Sequence, residues 1–154
     1  MKIFLALPFS QFCENDKDEI EDCNKWFFRD LTNKVKELGL EYFLAHERED
    51  WGSKYKSAEE STLIDFNAMK TADLVVAVPG NPISGGVHIE LGWASTMNKK
   101  ILMFLDENKE YSPMIEGLNS LTEVKYFFYK ELISVKLINT IILAIKEELC
   151  IRNY

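Results

Sequence analysis

The strongest constraint on the fold is residues 73–95, where a buried strand runs into a glycine-rich loop and then a helix. Its apolar part, residues 74–78, is continuous and rich in valine, which is typical of a parallel strand covered on both faces. Pro79 and Gly80 end the strand, and Ser84-Gly85-Gly86 begins the helix. Unpaired backbone N–H groups and the helix dipole at such a start attract phosphate. The segment therefore predicts an anion site.

Glu90 follows in the first turn or so of this helix, beside any bound anion. A carboxylate near a helix N-terminus is also stabilising by itself, by roughly 0.3–1 kcal/mol, so its position alone does not establish a function. The dipole is too weak to account for catalysis, which requires on the order of 8 kcal/mol or more. If the site is catalytic, Glu90 must act covalently.

The rest of the chain alternates between strand and helix patterns. Strands are predicted at residues 3–7, 42–45, 74–78, 101–105 and 124–128. Such alternation predicts a single domain over residues 1–154, of the α/β class, with a flavodoxin-like or Rossmann-like fold. Its five-stranded parallel sheet carries helices on both faces. Ligands bind such folds beyond the carboxyl ends of the strands, near the point where strand order reverses.

Helical periodicity fills the intervals between these strands. Apolar residues recur at helical spacing from Ile20 and Cys23 to Leu38, and Gly39 is the expected C-cap. Further helices are predicted around residues 63–69, 87–97 and 133–149.

Other side chains near the predicted binding edge could contribute chemistry. Asp65 interrupts an apolar helix face, as either a site acid or a surface carboxylate. Residues 8–11 could offer backbone N–H groups to phosphate, or form a plain connecting loop. Residues 46–52 could hold a base through charges and an aromatic ring, or form a solvated loop. His88, nearly opposite Glu90 on a helix, is expected to be structural.

Composition excludes several classes of partner. The net charge of −7 argues against nucleic acid and anionic membranes. The three cysteines fit neither a disulfide framework nor a zinc site, and the two histidines have no ligand spacing, so we expect no metal and a cytoplasmic protein. No stretch approaches the ~20 apolar residues of a membrane span.

Several motifs together resemble the nucleoside 2-deoxyribosyltransferase superfamily. They are Asp65 with Asp73, and the glycine-rich helix with Glu90-Leu91-Gly92. The likeness is closer to the nucleotide N-glycosidase branch, above all to the hydrolases of CMP and hydroxymethyl-CMP in the mildiomycin and bacimethrin pathways. The segments that carry it are Pro8-Phe9, residues 45–52, residues 77–80 and residues 88–95.

The resemblance implies a function and a set of site residues. Glu90 would be the nucleophile, and Asp65 would orient the substrate or help protonate the leaving base. Phe4 stands where relatives that act on deoxynucleotides carry a tyrosine, which favours a ribonucleotide. At the position of Ser10 the mildiomycin-type enzyme has an arginine, so the base contacts of that enzyme cannot be transferred to this chain. The expected substrate-binding residues are Phe4, Phe9, Ser10, Gln11, His46, Trp51, Ser84, Gly85, Gly86 and Ser112.

The expected reaction is hydrolysis of a pyrimidine ribonucleoside 5′-monophosphate, without a cofactor, to free base and ribose 5-phosphate. The likeness also implies a homodimer or larger assembly in which Ser112 completes the phosphate site of a neighbouring subunit. Two alternatives remain: a nucleoside deoxyribosyltransferase and a non-catalytic nucleotide sensor.

Overall fold

The computed structural model describes residues 1–13, 20–53, 56–80 and 83–151. In these residues the sheet has five strands, all parallel, as the sequence predicts. The strands are β1 Lys2–Ala6, β2 Glu41–Phe43, β3 Leu74–Ala77, β4 Lys100–Asp106 and β5 Val124–Tyr129. Their order in the sheet, β2-β1-β3-β4-β5, is flavodoxin-like, and it places the reversal between β1 and β3.

Within the described residues, helices cover both faces of this sheet. They are α1 Lys25–Glu37, α2 Ala45–Arg48, α3 Ala58–Thr71, α4 Gly85–Thr96, α5 Pro113–Glu116 and α6 Val135–Glu148. None of them is long and apolar enough to cross a membrane. The fold class predicted from the sequence is therefore confirmed.

The central strands are buried on both faces, which explains their unbroken apolar sequences. Every residue of β3 is at most 1% exposed. Leu74 and Val76 join one core cluster with α1 and α6, whereas Val75 and Ala77 join a second with α3 and α4. Successive side chains of a strand point to opposite faces, so one short strand contributes to both cores.

Two predicted elements differ from the structure. The first helix starts at Lys25, so Ile20 and Cys23 lie outside it. Ile20 instead forms an antiparallel bridge with Cys13 and donates its N–H to the Trp51 carbonyl oxygen, and these long-range bonds replace helical ones. The second strand ends at Phe43, because the chain turns into α2 at Ala45.

Gly39 ends α1 as predicted. Its φ is +72°, and its N–H donates to the Lys36 carbonyl oxygen at 2.8 Å. The left-handed conformation favours glycine here.

Candidate functional site

The candidate site lies where β1 and β3 end, at the strand reversal. The β1 loop continues into a short 3₁₀ turn, Ser10–Phe12, and β3 leads to the start of α4. Asn81 and Pro82, in the predicted glycine-rich loop, lie outside the described residues. The two neighbouring strands thus deliver the two loops that the sequence assigned to phosphate.

The start of α4 is open to a ligand. Ser84 is its N-cap residue, yet the Ser84 side chain makes no capping hydrogen bond. Gly85 and Gly86 are exposed, and a Cβ added to either would meet nothing within 4 Å. Because the first N–H groups of a helix have no intrahelical partner, this end offers donors to an anion.

Glu90 lies in the second turn of α4, which corrects the expectation that it belongs to the first. The helix begins at Gly85, so its first turn contains no acidic residue. The dipole acts mainly within the first turn and therefore gives Glu90 little support. Its position is explained instead by the cleft that it lines.

Asp65 and Glu90 line the same cleft, which has a volume of about 150 Å³ between α3 and α4. Its other lining residues are Ser61, Thr62, Gly86, Ile89 and Trp93. The Asp65 side chain is 17% exposed, so it is not a solvated surface carboxylate. The structure therefore brings together the two acids that the sequence singled out, next to one of the open glycines.

Arg48 is the site residue that sequence reasoning missed. Its Nη2 group lies 2.8 Å from Glu49 Oε1 and 3.3 Å from Asp65 Oδ1, and its side chain is 12% exposed. Residues 46–52 carry a charge pattern, but nothing local in the sequence indicates that Arg48 reaches α3. A buried cation next to a cleft with two carboxylic acids is a typical arrangement for setting their ionisation.

Burial dominates the electrostatics of the two acids. It raises the pKa of Glu90 to about 8, with a further contribution from the charge of Asp65. It also raises the pKa of Asp65 to about 6, although Arg48 opposes that rise. In the ligand-free protein at neutral pH, the proton of the pair therefore resides mainly on Glu90.

His46 is buried and Trp51 is half-buried against the core, and neither lines the cleft of Asp65 and Glu90. Their contact with the base stays a prediction. His46 is 2% exposed and stacks on Phe9 at 5.1 Å and on Phe28 at 4.7 Å between ring centroids. Burial lowers its pKa to about 4, so it stays neutral. Trp51 packs on Phe28 and beneath the Arg29 guanidinium.

Other predicted residues occupy supporting positions. Phe4 is 1% exposed and packs on Phe43, so it does not reach the cleft surface. Ser10 and Gln11 lie in the 3₁₀ turn after β1, with Phe9 immediately before them. Ser112 caps α5, and its Oγ accepts a hydrogen bond from Met114 N. It does not line the cleft of Asp65 and Glu90.

His88 has a structural bond. Its Nδ1 lies 2.8 Å from the Ser84 carbonyl oxygen. Since a carbonyl only accepts, Nδ1 carries the proton. The bond braces the first turn of α4 from the side away from Glu90.

An apolar groove borders the cleft along α3 and α4. Leu63 is 60% exposed and Ile89 57% exposed, and the Phe66 and Trp93 rings meet edge to face beside them. The groove has a volume of about 510 Å³. Within the described residues, no group of three or more His, Cys, Asp or Glu side chains could hold a metal ion.

Comparison with solved structures identifies similar proteins. The CMP N-glycosidase BcmB of Clostridium botulinum is 29% identical with a TM-score of 0.69, covering 96% of this chain and 99% of that one. BlsM is 32% identical with a TM-score of 0.74, covering 98% of this chain and 94% of its own. A 2-deoxyribosyltransferase of Bacillus psychrosaccharolyticus, 20% identical with a TM-score of 0.59, covers 90% of this chain and 96% of its own and shares the fold.

Sequence comparison assigns the chain to a family. No curated protein sequence matches it at a significant level. The model of the nucleoside 2-deoxyribosyltransferase family, in contrast, matches residues 10–139, which include Asp65, Glu90 and the open start of α4. The likeness to the CMP N-glycosidase BcmB, together with that to BlsM, is consistent with the nucleotide N-glycosidase branch of that family. The chain belongs to the nucleoside 2-deoxyribosyltransferase family.

Proposed function

We propose that this protein hydrolyses the N-glycosidic bond of a pyrimidine ribonucleoside 5′-monophosphate, CMP or 5-hydroxymethyl-CMP. The products are free base and ribose 5-phosphate. The observation that carries the proposal is the placement of two half-buried acids, Asp65 and Glu90, in one cleft beside an open helix N-terminus. The likeness to a CMP N-glycosidase over nearly the whole chain supports the choice of substrate.

In the proposed mechanism, Glu90 is the nucleophile. Its ionised carboxylate attacks C1′ of the ribose, the bond from C1′ to the base nitrogen breaks, and the departing base takes up a proton. Water then hydrolyses the ribosyl ester, releasing ribose 5-phosphate and regenerating Glu90. This is the two-step route of retaining glycosidases. Asp65 either donates the proton or orients the ribose.

The phosphate would bind at the start of α4. Gly85 and Gly86 expose their backbone there, and the Ser84 side chain is not used for capping. Ser10 and Gln11, after β1, lie at the same edge of the sheet. Binding energy from this remote group would lower the barrier at C1′. Phe9 would border the base, with His46 supporting it from below.

Two other functions share this fold. A deoxyribosyltransferase would pass the sugar to an acceptor base instead of water, and a sensor would bind the nucleotide unchanged. The discriminating experiment is incubation with CMP, with and without an acceptor base, followed by chromatography of the products. Free cytosine and ribose 5-phosphate without an acceptor support hydrolysis. Product only with an acceptor indicates a transferase, and unchanged CMP with measurable binding indicates a sensor.

The proposed phosphate site predicts a preference for CMP over cytidine. Charge-assisted hydrogen bonds contribute roughly 1.5–3 kcal/mol each, so loss of two lowers kcat/KM at least about a hundredfold. Steady-state kinetics with both substrates measures the ratio. Equal kcat/KM values would remove the basis for a phosphate site and favour the transferase.

The active form would be a homodimer or larger assembly in which Ser112 of one chain reaches the phosphate of another. The exposed apolar groove on α3 and α4 supports a subunit interface, since such surfaces commonly bind a partner. Trp93 lines this groove, and Met114, near Ser112, is 76% exposed.

Mixing two inactive variants tests the shared site. A dimer of one Glu90→Ala chain and one Ser112→Ala chain contains one site with both residues intact and one site with neither. We expect activity to recover on mixing. If each parent is clearly defective and subunit exchange is demonstrated, a mixture that stays inactive shows that each chain builds its own site.

A further inference from the structure

The contact between Arg48 and the site acids joins distant parts of the chain. Arg48 ends the short helix α2, whereas Asp65 lies on α3. The Nη2 group of Arg48 donates to Asp65 Oδ2 at 3.4 Å and to Glu49 Oε1 at 2.8 Å, so one nitrogen serves two carboxylates. All three side chains are at most 17% exposed. Water screens such a buried group poorly.

The backbone after Arg48 is held in an unusual conformation. Asp50, Trp51 and Gly52 have φ values of +48°, +62° and +99°. Asp50 and Trp51 are two consecutive non-glycine residues in the left-handed region, so the backbone here is strained. Such strain persists where the surrounding structure holds the conformation in place, which is common at functional sites. The turn directs the chain back towards the core, where Trp51 packs on Phe28. Arg48 is therefore fixed from both sides, by buried His46 before it and by this turn after it.

The charged groups around the cleft act in opposite directions. The charge of Arg48 lowers the pKa of both Asp65 and Glu90, and the charge of Glu49 raises both. Asp65 on α3 and Glu90 on α4 are the other charged groups of the cleft within the described chain. The nearest strands, β1 and β3, carry apolar side chains apart from Lys2 at the start of β1.

We infer that Arg48 is a positioning residue, which orients the Asp65 carboxylate in the cleft and, with Glu49 as its second anchor, decides how the two acids share their proton. Arg48 does not line the cleft, so it acts through Asp65 rather than on the substrate. Glu49 keeps the arginine from neutralising Asp65 completely. The effect of Arg48 on catalysis rests on the proposed function, whereas the titration that tests the inference does not.

The test is a carboxyl ¹³C NMR titration of the ligand-free protein, with resonances assigned through Asp65→Asn and Glu90→Gln. We expect Arg48→Met to move both midpoints up by about one pH unit, the lower end of the effect of a close opposite charge. Glu49→Gln should move them down. Arg48→Lys retains the charge and should leave the midpoints within about half a unit of wild type. Opposite shifts from two neighbouring residues are not the signature of a general loss of structure.

Arg29→Met is the matched control. Arg29 is also an arginine in this region, but it lies over the Trp51 ring, 5.9 Å from its centroid. Its removal should leave the midpoints of Asp65 and Glu90 unchanged. If Arg48→Met does not fold, as judged by circular dichroism, Glu49→Gln carries the test. Midpoints that stay unchanged in Arg48→Met or in Glu49→Gln, or that shift in the same direction in both variants, overturn the inference.

Activity gives a second readout. If the protein releases base from CMP, Arg48→Lys should lower kcat more than it raises KM, because a lysine cannot hold two carboxylates in the geometry of a guanidinium. A change in KM alone contradicts a positioning role. If no base is released by the wild-type protein, the proposed function fails, and the titration still decides what Arg48 does.

Discussion

Two half-buried glutamates of this protein have opposite electrostatic environments. Glu148, at the end of α6, has a side chain only 6% exposed, with Lys100 Nζ at 2.9 Å and Lys125 Nζ at 2.7 Å. Hydrogen bonds from these lysines hold its pKa below the usual range. Glu90 lies at the other edge of the sheet, and desolvation raises its pKa to about 8. Desolvation dominates at Glu90, whereas hydrogen bonds from two lysines dominate at Glu148.

Under the proposed function, this difference separates a structural carboxylate, Glu148, from a reactive one, Glu90. Ionised Glu148 has its charge compensated and contributes to stability. Ionised Glu90 is poorly compensated, so the folded protein resists the state that a nucleophile needs. Such a cost is typical of functional sites, where groups are arranged for a ligand rather than for the free protein.

The largest expected effect is the loss of activity on substitution of Glu90, compared with substitution of Glu148. Glu90→Ala should abolish base release from CMP, because the covalent step loses its nucleophile, and should leave the fold intact. Glu148→Ala, at the opposite edge of the sheet, should retain activity within about twofold. Residual activity of Glu90→Ala above about one-hundredth of wild type, in a folded variant, means that Glu90 is not the nucleophile.

The pH dependence of kcat/KM should sharpen the comparison and assign the role of Asp65. Since Glu90 must be ionised to attack, kcat/KM should rise with pH until about 8. If Asp65 donates the proton to the base, activity also requires its protonated form, and the profile becomes a bell with limbs near 6 and 8. If Asp65 only orients the ribose, the profile levels off without a fall. A profile flat from pH 5 to 9 would contradict both roles.

The smallest effect is on stability, and its sign should differ between the two sites. The folded pKa of Glu90 exceeds its unfolded value, so the folded state binds more protons and stability falls as pH rises from 4.5 towards 8. Glu90→Gln should remove this loss and, at pH 8, raise stability by about 1–2 kcal/mol, or roughly 2–8 °C in Tm.

Glu148→Gln is the matched variant. The pKa of Glu148 is lowered by folding, so its contribution is present above 4.5 and is lost as pH falls below that value. At neutral pH the substitution should cost about 0.5–1 kcal/mol, since both lysines are half exposed and water screens them. Thermal unfolding from pH 4 to 8 measures both variants. If both substitutions change the free energy of unfolding in the same direction at pH 8, the distinction between the two glutamates is wrong.

Particular residues show how far prediction from sequence reaches. The strands, Gly39 and the open start of α4 were predictable because they depend on local patterns. Asp65 was predictable as an anomaly, since a charge that interrupts an apolar helix face needs an explanation. The contact of His46 and Trp51 with the base stays a prediction, and a polar loop sequence does not show that their rings pack on Phe28.

The sequence by itself determined the fold class, and it predicts the edge of the sheet that carries the candidate site and the two acids that line its cleft. Periodicity specifies strands and helices locally, and the rule for parallel sheets then places their loops at a common edge. Only the tertiary structure decided that Arg48, 17 residues before Asp65, shares its charge with that acid and Glu49. Only the tertiary structure raises the pKa of Glu90 and lowers the pKa of Glu148. Desolvation and Coulomb energies depend on which groups packing brings together, and chain order does not specify those distances.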